Sequence, residues 1–107
     1  MHDLDVTITK EYWEKGKRKS CSDCALALVL KEELLNPRVS VQPFIQEPYV
    51  RIYSEQKNIP DRFYGISEEV AKEIREWDSG IEKTSGLKVD LKYLETIPPQ
   101  ASKSGLW

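Results

Sequence analysis

Histidine is nearly missing from this sequence: His2 is the single copy, and it stands beside the first residue, a poor place for a general base. Catalytic motifs are missing as well. The chain contains no Gly-x-Ser-x-Gly, no His-Glu-x-x-His and no paired-aspartate metal motif. Neither nucleotide fingerprint occurs, since Gly-x-x-x-x-Gly-Lys-Ser/Thr and Gly-x-Gly-x-x-Gly are both absent. The expectation is a protein without enzymatic activity and with no catalytic residues to name.

Long apolar runs are also lacking, so nothing approaches the roughly 18 residues of a membrane-spanning helix. The opening Met1-His2-Asp3-Leu4-Asp5 lacks the charged-then-apolar order of a secretory signal. A cytoplasmic protein of the host cell, with no membrane partner, is therefore expected. There is no excess of one charge. With 16 basic and 18 acidic residues the net charge is -2, which argues against general nucleic-acid binding. The apolar share of 39% against a charged share of 32% implies a thin core beneath a heavily solvated surface.

What is present reads as one α+β domain over residues 1–96, followed by a tail over 97–107. Leu4, Val6 and Ile8 alternate with polar residues, the period-two signature of a half-buried strand. Thr9 caps a helical turn, Lys10 to Lys15, that stops at Gly16. The first long helix is expected from about Ser22 to Leu35, with Ser20 or Ser22 as N-cap and Asn36-Pro37 as its end. Arg38 to Phe44 and Pro48 to Ser54 read as an antiparallel pair, with Pro43 marking an edge or a bulge. Arg62-Phe63-Tyr64 either adds a brief strand or closes a loop.

Ser67 caps a second helix whose apolar stripe is Val70, Ile74 and Trp77, with Gly80 beyond its end. Leu87, Val89 and Leu91 give a last strand. The order is β-α-β-β-α-β, with a mainly antiparallel sheet and two helices on one face, which a ferredoxin-like arrangement fits. The tail ends in Leu106-Trp107 and is expected to be mobile or docked on a neighbouring subunit.

The strongest local signal is the basic loop Lys15-Gly16-Lys17-Arg18-Lys19-Ser20 ahead of the apolar helix. A helix N-terminus presents unpaired N–H groups and partial positive charge, both of which attract anions. Lys17, Arg18 and Lys19 would neutralise phosphates, and Ser20 and Ser22 would donate hydrogen bonds. Tyr12 and Trp13 would stack on a base or ribose, and Arg51 would reach the same mouth from a strand. The plainer alternative is a solvated loop before an ordinary capped helix.

Cys21-Ser22-Asp23-Cys24 leaves three readings open. A helix start beside Lys and Arg lowers a thiol pKa, which suits a redox dithiol. A structural zinc needs four ligands, which this pair and its copy across a dimer would supply. Otherwise Cys24 is a small core residue and Cys21 a partly exposed loop residue. No cofactor is expected beyond the zinc that this pair leaves open.

The segment Cys24 to Leu30 is apolar at seven consecutive positions, so the sheet and tail cover it or another subunit does. A homo-oligomer is the expectation.

Several pieces of the chain resemble a group of short, poorly characterised proteins from bacteriophages and mobile elements. The similar pieces are Val6 to Glu11, Gly16, the run Ser20-Cys21-Ser22-Asp23-Cys24-Ala25-Leu26-Ala27-Leu28, then Tyr49 to Ile52, and Glu69 to Gly80. The resemblance implies an anti-defence role. Such a sponge would sequester a phosphate-containing nucleotide immune signal, for example a cyclic ADP-ribose or a cyclic oligonucleotide. The alternatives are a protein-interaction inhibitor of a host effector, acting through the acidic helix or Leu106-Trp107, and a small zinc- or thiol-dependent protein using Cys21 and Cys24.

Overall fold

The computed structural model describes residues 3–36, 38–99 and 101. His2, Pro37 and the Leu106-Trp107 end, each singled out in the sequence, lie outside the described residues. Eight elements follow one another: β1 (Leu4–Ile8), α1 (Lys10–Lys15), α2 (Ala25–Leu34), β2 (Val39–Gln42), β3 (Tyr49–Ile52), β4 (Arg62–Gly65), α3 (Glu68–Asp78) and β5 (Leu87–Leu94). The α+β class and antiparallel sheet are those expected. The brief strand at Arg62 is real, and the turn after Thr9 forms α1.

The five strands run in the order β1-β5-β4-β3-β2, with every neighbouring pair antiparallel. The two strands farthest apart in that order therefore form the edges. β2 ends at Gln42, just before Pro43, as an edge strand must when its next residue has no N–H to give. Its outer side is closed at one point, where Val41 N–H donates to the Cys21 carbonyl at 2.8 Å.

Alternation divides the sheet into two faces. Val6, Ile8, Val39, Val41, Val50, Ile52, Tyr64, Val89 and Leu91 point inward and are buried. α2 packs against both edge strands, β1 and β2, so the sheet curls around it. That geometry explains the helix's composition. A helix wrapped on several sides has no wet back at its start, and Cys24, Ala25, Leu26, Ala27, Val29 and Leu30 are all buried within this one chain. Full burial of Leu26 and Leu30 contributes about 1.5–3 kcal/mol each.

α3 lies on the same core through Val70, Ala71, Ile74 and Trp77. Its ends match the sequence signals closely. Ser67 Oγ accepts the Val70 N–H at 3.1 Å. Beyond Ser79, Gly80 adopts φ 115°, and the N–H groups of Gly80 and Ile81 return to the carbonyls of Trp77 and Glu76. Loop 81–86 is tied back where Lys83 donates to Glu73 and, at 3.0 Å, to Glu76.

The outer face holds a smaller cluster of Tyr49, Phe63 and Ala101, with Phe44 and Leu94 against it. Pro98 and Ala101 are buried, so the described start of the tail packs on this chain's own sheet.

Candidate functional site

The basic loop is a fixed piece of structure, held by backbone bonds and by α3. Gly16 stops α1 and returns its N–H to the Tyr12 carbonyl at 2.9 Å. Lys17 N–H donates to the Asp23 carbonyl at 2.8 Å, and Asp23 N–H donates to Ser20 Oγ at 3.1 Å. These two bonds fold residues 20–23 into a turn of their own. The helix therefore begins at Ala25 with Cys24 as N-cap, two residues beyond Ser22. Ser20 caps the turn, not the helix.

The delayed start changes the chemistry. The first turn of α2 is buried, and a Cβ added at Gly16 would lie 2.6 Å from Ala25 N and 3.0 Å from Trp77. Gly16 thus lies against the N-terminus of the helix, which cannot serve as an open anion cradle. The expected helix-end phosphate site is corrected on this point.

The named side chains separate into three groups. Lys19 and Ser20 line a cleft of about 180 Å³ with Cys21, Cys24, Gln42 and Asp78. Lys17 and Ser22 are exposed nearby but do not line it. The remaining four are committed elsewhere. Arg18 lies 4.9 Å from the Trp77 ring and donates to the Ile81 carbonyl at 3.3 Å. Trp13 is 4% exposed, tilts against Trp77 at 5.5 Å and donates Nε1–H to the Ser85 carbonyl. It is a core residue, not a stacking platform.

Tyr12 is half-buried and donates its hydroxyl to Glu32, which pushes the phenol up to about 12. Arg51 lies on the outer face of the sheet, away from the loop. Its Nε and Nη2 donate to Asp61 Oδ2 at 2.8 and 2.6 Å, so it does not reach the same mouth.

Asp78 is not among the site residues expected from the sequence. It ends α3, where a carboxylate opposes the negative pole of the helix and calls for a partner. The partner is the loop: Lys19 N–H donates to Asp78 Oδ1 at 2.8 Å, with Lys19 in the left-handed region at φ 61°. An acid in a helix's last turn beside a basic loop is the signal that would have found it. The cleft is thus lined by a lysine, a serine, an aspartate and two cysteines, with Val41 and Ile74 among its apolar residues.

The cysteines differ sharply in setting. Cys21 is exposed and Cys24 buried. Burial pushes the Cys24 thiol up to about 11, against the lowering by the first N–H groups of α2. A thiol held protonated is a weak nucleophile and a poor metal ligand until it is uncovered. Among the described residues no group of three or more His, Cys, Asp or Glu side chains is arranged to hold a metal ion.

Among the described residues no helix is long and apolar enough to cross a membrane. A wider cleft of about 350 Å³ lies at the far end of the sheet, between Leu34, Ile52, Ile59 and Arg62, but the loop takes no part in it. No family model, curated protein or solved structure matches the chain.

Proposed function

We propose that the chain is a binding protein that sequesters a phosphate-bearing nucleotide without altering it, with the cleft between Lys19 and Asp78 as its recognition point. The observation that carries this reading is that Lys19 and Asp78 line one cleft and are joined there through the Lys19 backbone N–H. Lys19 Nζ suits a phosphate oxygen. Asp78 uses Oδ1 on the loop, which leaves Oδ2 to accept from a hydroxyl donor such as a ribose. A bare anion gains nothing from Asp78 and is repelled by it. A ribose phosphate engages both groups.

The cleft's size bears on how much of a ligand it holds. Whole ligand sites commonly run to about 300–1,000 Å³, so a cleft of about 180 Å³ takes the phosphoribosyl part alone. The exposed Lys17 and Ser22 are near enough in sequence to meet the rest. In the setting that the phage-protein resemblance suggests, the ligand is an immune signal such as a cyclic ADP-ribose or cyclic oligonucleotide, and the role is anti-defence. A homo-oligomer would enlarge the site by adding a second chain's wall.

The test is a thermal-shift screen with cyclic oligonucleotides, cyclic ADP-ribose isomers, ADP-ribose and inorganic phosphate. Stabilisation by a ribonucleotide, absent with inorganic phosphate and lost in Lys19→Glu, is the expected outcome. No shift with any nucleotide would remove the proposal. A protein-interaction role is the second reading, favoured by the exposed apolar side chains of Leu35, Ile45 and Ile97. A stoichiometric host partner in a pull-down, lost on Leu35→Glu, would support it.

A further inference from the structure

The loop 43–48 between β2 and β3 carries a strained residue near its end. Glu47 takes the left-handed region at φ 52°, where a side chain crowds its own backbone, and it is exposed, so burial does not offset that strain. Such strain persists only where the surroundings fix the backbone, and it gathers at ligand clamps. Here both ends of the loop are fixed. Arg75 Nη1, on α3, donates to the carbonyls of Pro43 and Phe44 at 2.9 and 3.1 Å, and the Ile66 N–H donates to the Pro48 carbonyl at 3.2 Å. The carboxylate that this loop presents is free. Among the described residues no cation stands within ion-pair distance of Glu47.

Glu47 stands on an apolar groove of about 320 Å³, found where β4 gives way to α3 and β5 ends. Pro48, Ile66, Leu94 and Pro98 make much of its lining, and among the described residues Glu47 is the one charged side chain there. Leu94 also packs against the outer-face cluster, which backs the groove. Lys92, opposite Gly65 in the ladder, does not line it, and its ammonium lies 3.6 Å from Asp3 Oδ2. Apolar surface continues past the groove. Ile45, two residues before Glu47, is 72% exposed, and Ile97, between the lining residues Thr96 and Pro98, is 59% exposed.

We propose that this groove binds an extended segment of a partner protein, taking one apolar side chain while a neighbouring lysine or arginine of the segment pairs with Glu47. Charge selects the occupant. A lone unpaired carboxylate on an apolar lining attracts a cation beside an apolar group and repels an acid. Extent selects a peptide over a small amine. A small amine would fill the groove and leave Ile45 and Ile97 in water, whereas a segment of chain reaches them as well. The fixed loop lowers the ordering cost of binding. The proposal deepens the protein-interaction reading by naming its surface and its partner's chemistry. It is independent of the nucleotide cleft, with which the groove shares no lining residue among those described.

The experiment is selection of a random heptapeptide display library on the purified full chain, then fluorescence-polarisation titration of the enriched peptide. It needs no host partner, so its result stands apart from that of a host pull-down. The expected enrichment is lysine or arginine next to an aliphatic or aromatic residue. Glu47→Lys should weaken that peptide tenfold or more and should prefer the version with glutamate in place of its basic residue. Glu47→Gly should lose the preference for the basic residue while melting no lower than wild type, because glycine accepts the left-handed backbone. A Cβ at Gly65 would make ordinary contact with Leu94 at 3.5 Å, so Gly65→Val should fold, narrow the groove and bind more weakly. Leu35→Glu, away from the groove, should bind as wild type does. No enrichment of basic–apolar pairs, or equal affinity of wild type, Glu47→Lys and Gly65→Val, would overturn the proposal. A wild type that is dimeric in sedimentation and monomeric as Gly65→Val would overturn it in favour of a second copy. Much tighter peptide binding by Leu106→Ser/Trp107→Ser would overturn it in favour of that segment as the occupant.

Discussion

Gly16 and Ala25 stand so close that a single methyl group would not fit between them: a Cβ on Gly16 would lie 2.6 Å from the Ala25 backbone nitrogen. This contact joins the end of α1 to the beginning of α2 and closes the helix N-terminus that the basic loop was expected to open. The cleft at Lys19 and Asp78 is the recognition point proposed in its place.

Gly16→Ala should therefore destabilise the fold by about 1–3 kcal/mol, the usual cost of overpacking against backbone. The glycine's own φ of -67° is unstrained, so the whole effect is steric. Urea denaturation of variant and wild type measures it. A neutral substitution would mean that α1 and α2 separate easily.

Trp13→Ala should cost about 3–5 kcal/mol, because it empties a buried aromatic site and leaves the Trp77 ring without its neighbour. Below the melting transition its nucleotide affinity should match wild type. A large loss of affinity in folded Trp13→Ala would return this ring to the binding site.

Arg51→Ala separates the two faces of the sheet. It breaks the pair with Asp61, whose side chains are 21% and 20% exposed, and leaves Asp61 with the Ser54 N–H alone. Partial solvent access holds the cost to about 1–2 kcal/mol. Ligand affinity should not change, because Arg51 lies on the outer face. Isothermal titration with the variant checks this.

Cys24 makes stability fall at alkaline pH. Burial raises its thiol from 9.0 to about 11, so between those values the folded chain keeps a proton that the unfolded chain has lost. Stability from this group is full below pH 9 and declines as pH rises toward 11, by about 3 kcal/mol in all. Comparing urea midpoints at pH 8 and pH 10.5 should show a larger drop in wild type than in Cys24→Ala. Iodoacetamide at pH 8 should label Cys21 alone in the folded chain. Rapid labelling of Cys24 would show that its burial is not maintained.

The strands with clean alternation were legible because one face is wet, as in Leu4 to Ile8 and Leu87 to Leu91. α3 was legible because the Ser67 cap, the apolar stripe and Gly80 all agree. The start of α2 was not, because Ser20 and Ser22 both have capping side chains, whereas the actual cap, Cys24, makes no side-chain cap hydrogen bond. The choice is made by Lys17 N–H binding Asp23 O, a contact no local pattern encodes. The basic loop was visible as charge. Which of its cations remain free was not, since Trp77, Ile81 and Glu82, far along the chain, take up Arg18. Asp78 escaped notice for the same reason: its role comes from a loop 59 residues away.

Isothermal titration of one stabilising ribonucleotide and its dideoxy analogue against wild type, Lys19→Glu, Asp78→Asn and the double variant tests the account most directly. The account predicts that Lys19→Glu weakens both ligands by tenfold or more, on the order of 1.4 kcal/mol. Asp78→Asn should weaken the ribonucleotide, which loses a hydroxyl acceptor, and should not weaken the dideoxy analogue, which loses only a repulsion. Equal affinity of all four proteins for the ribonucleotide would contradict it.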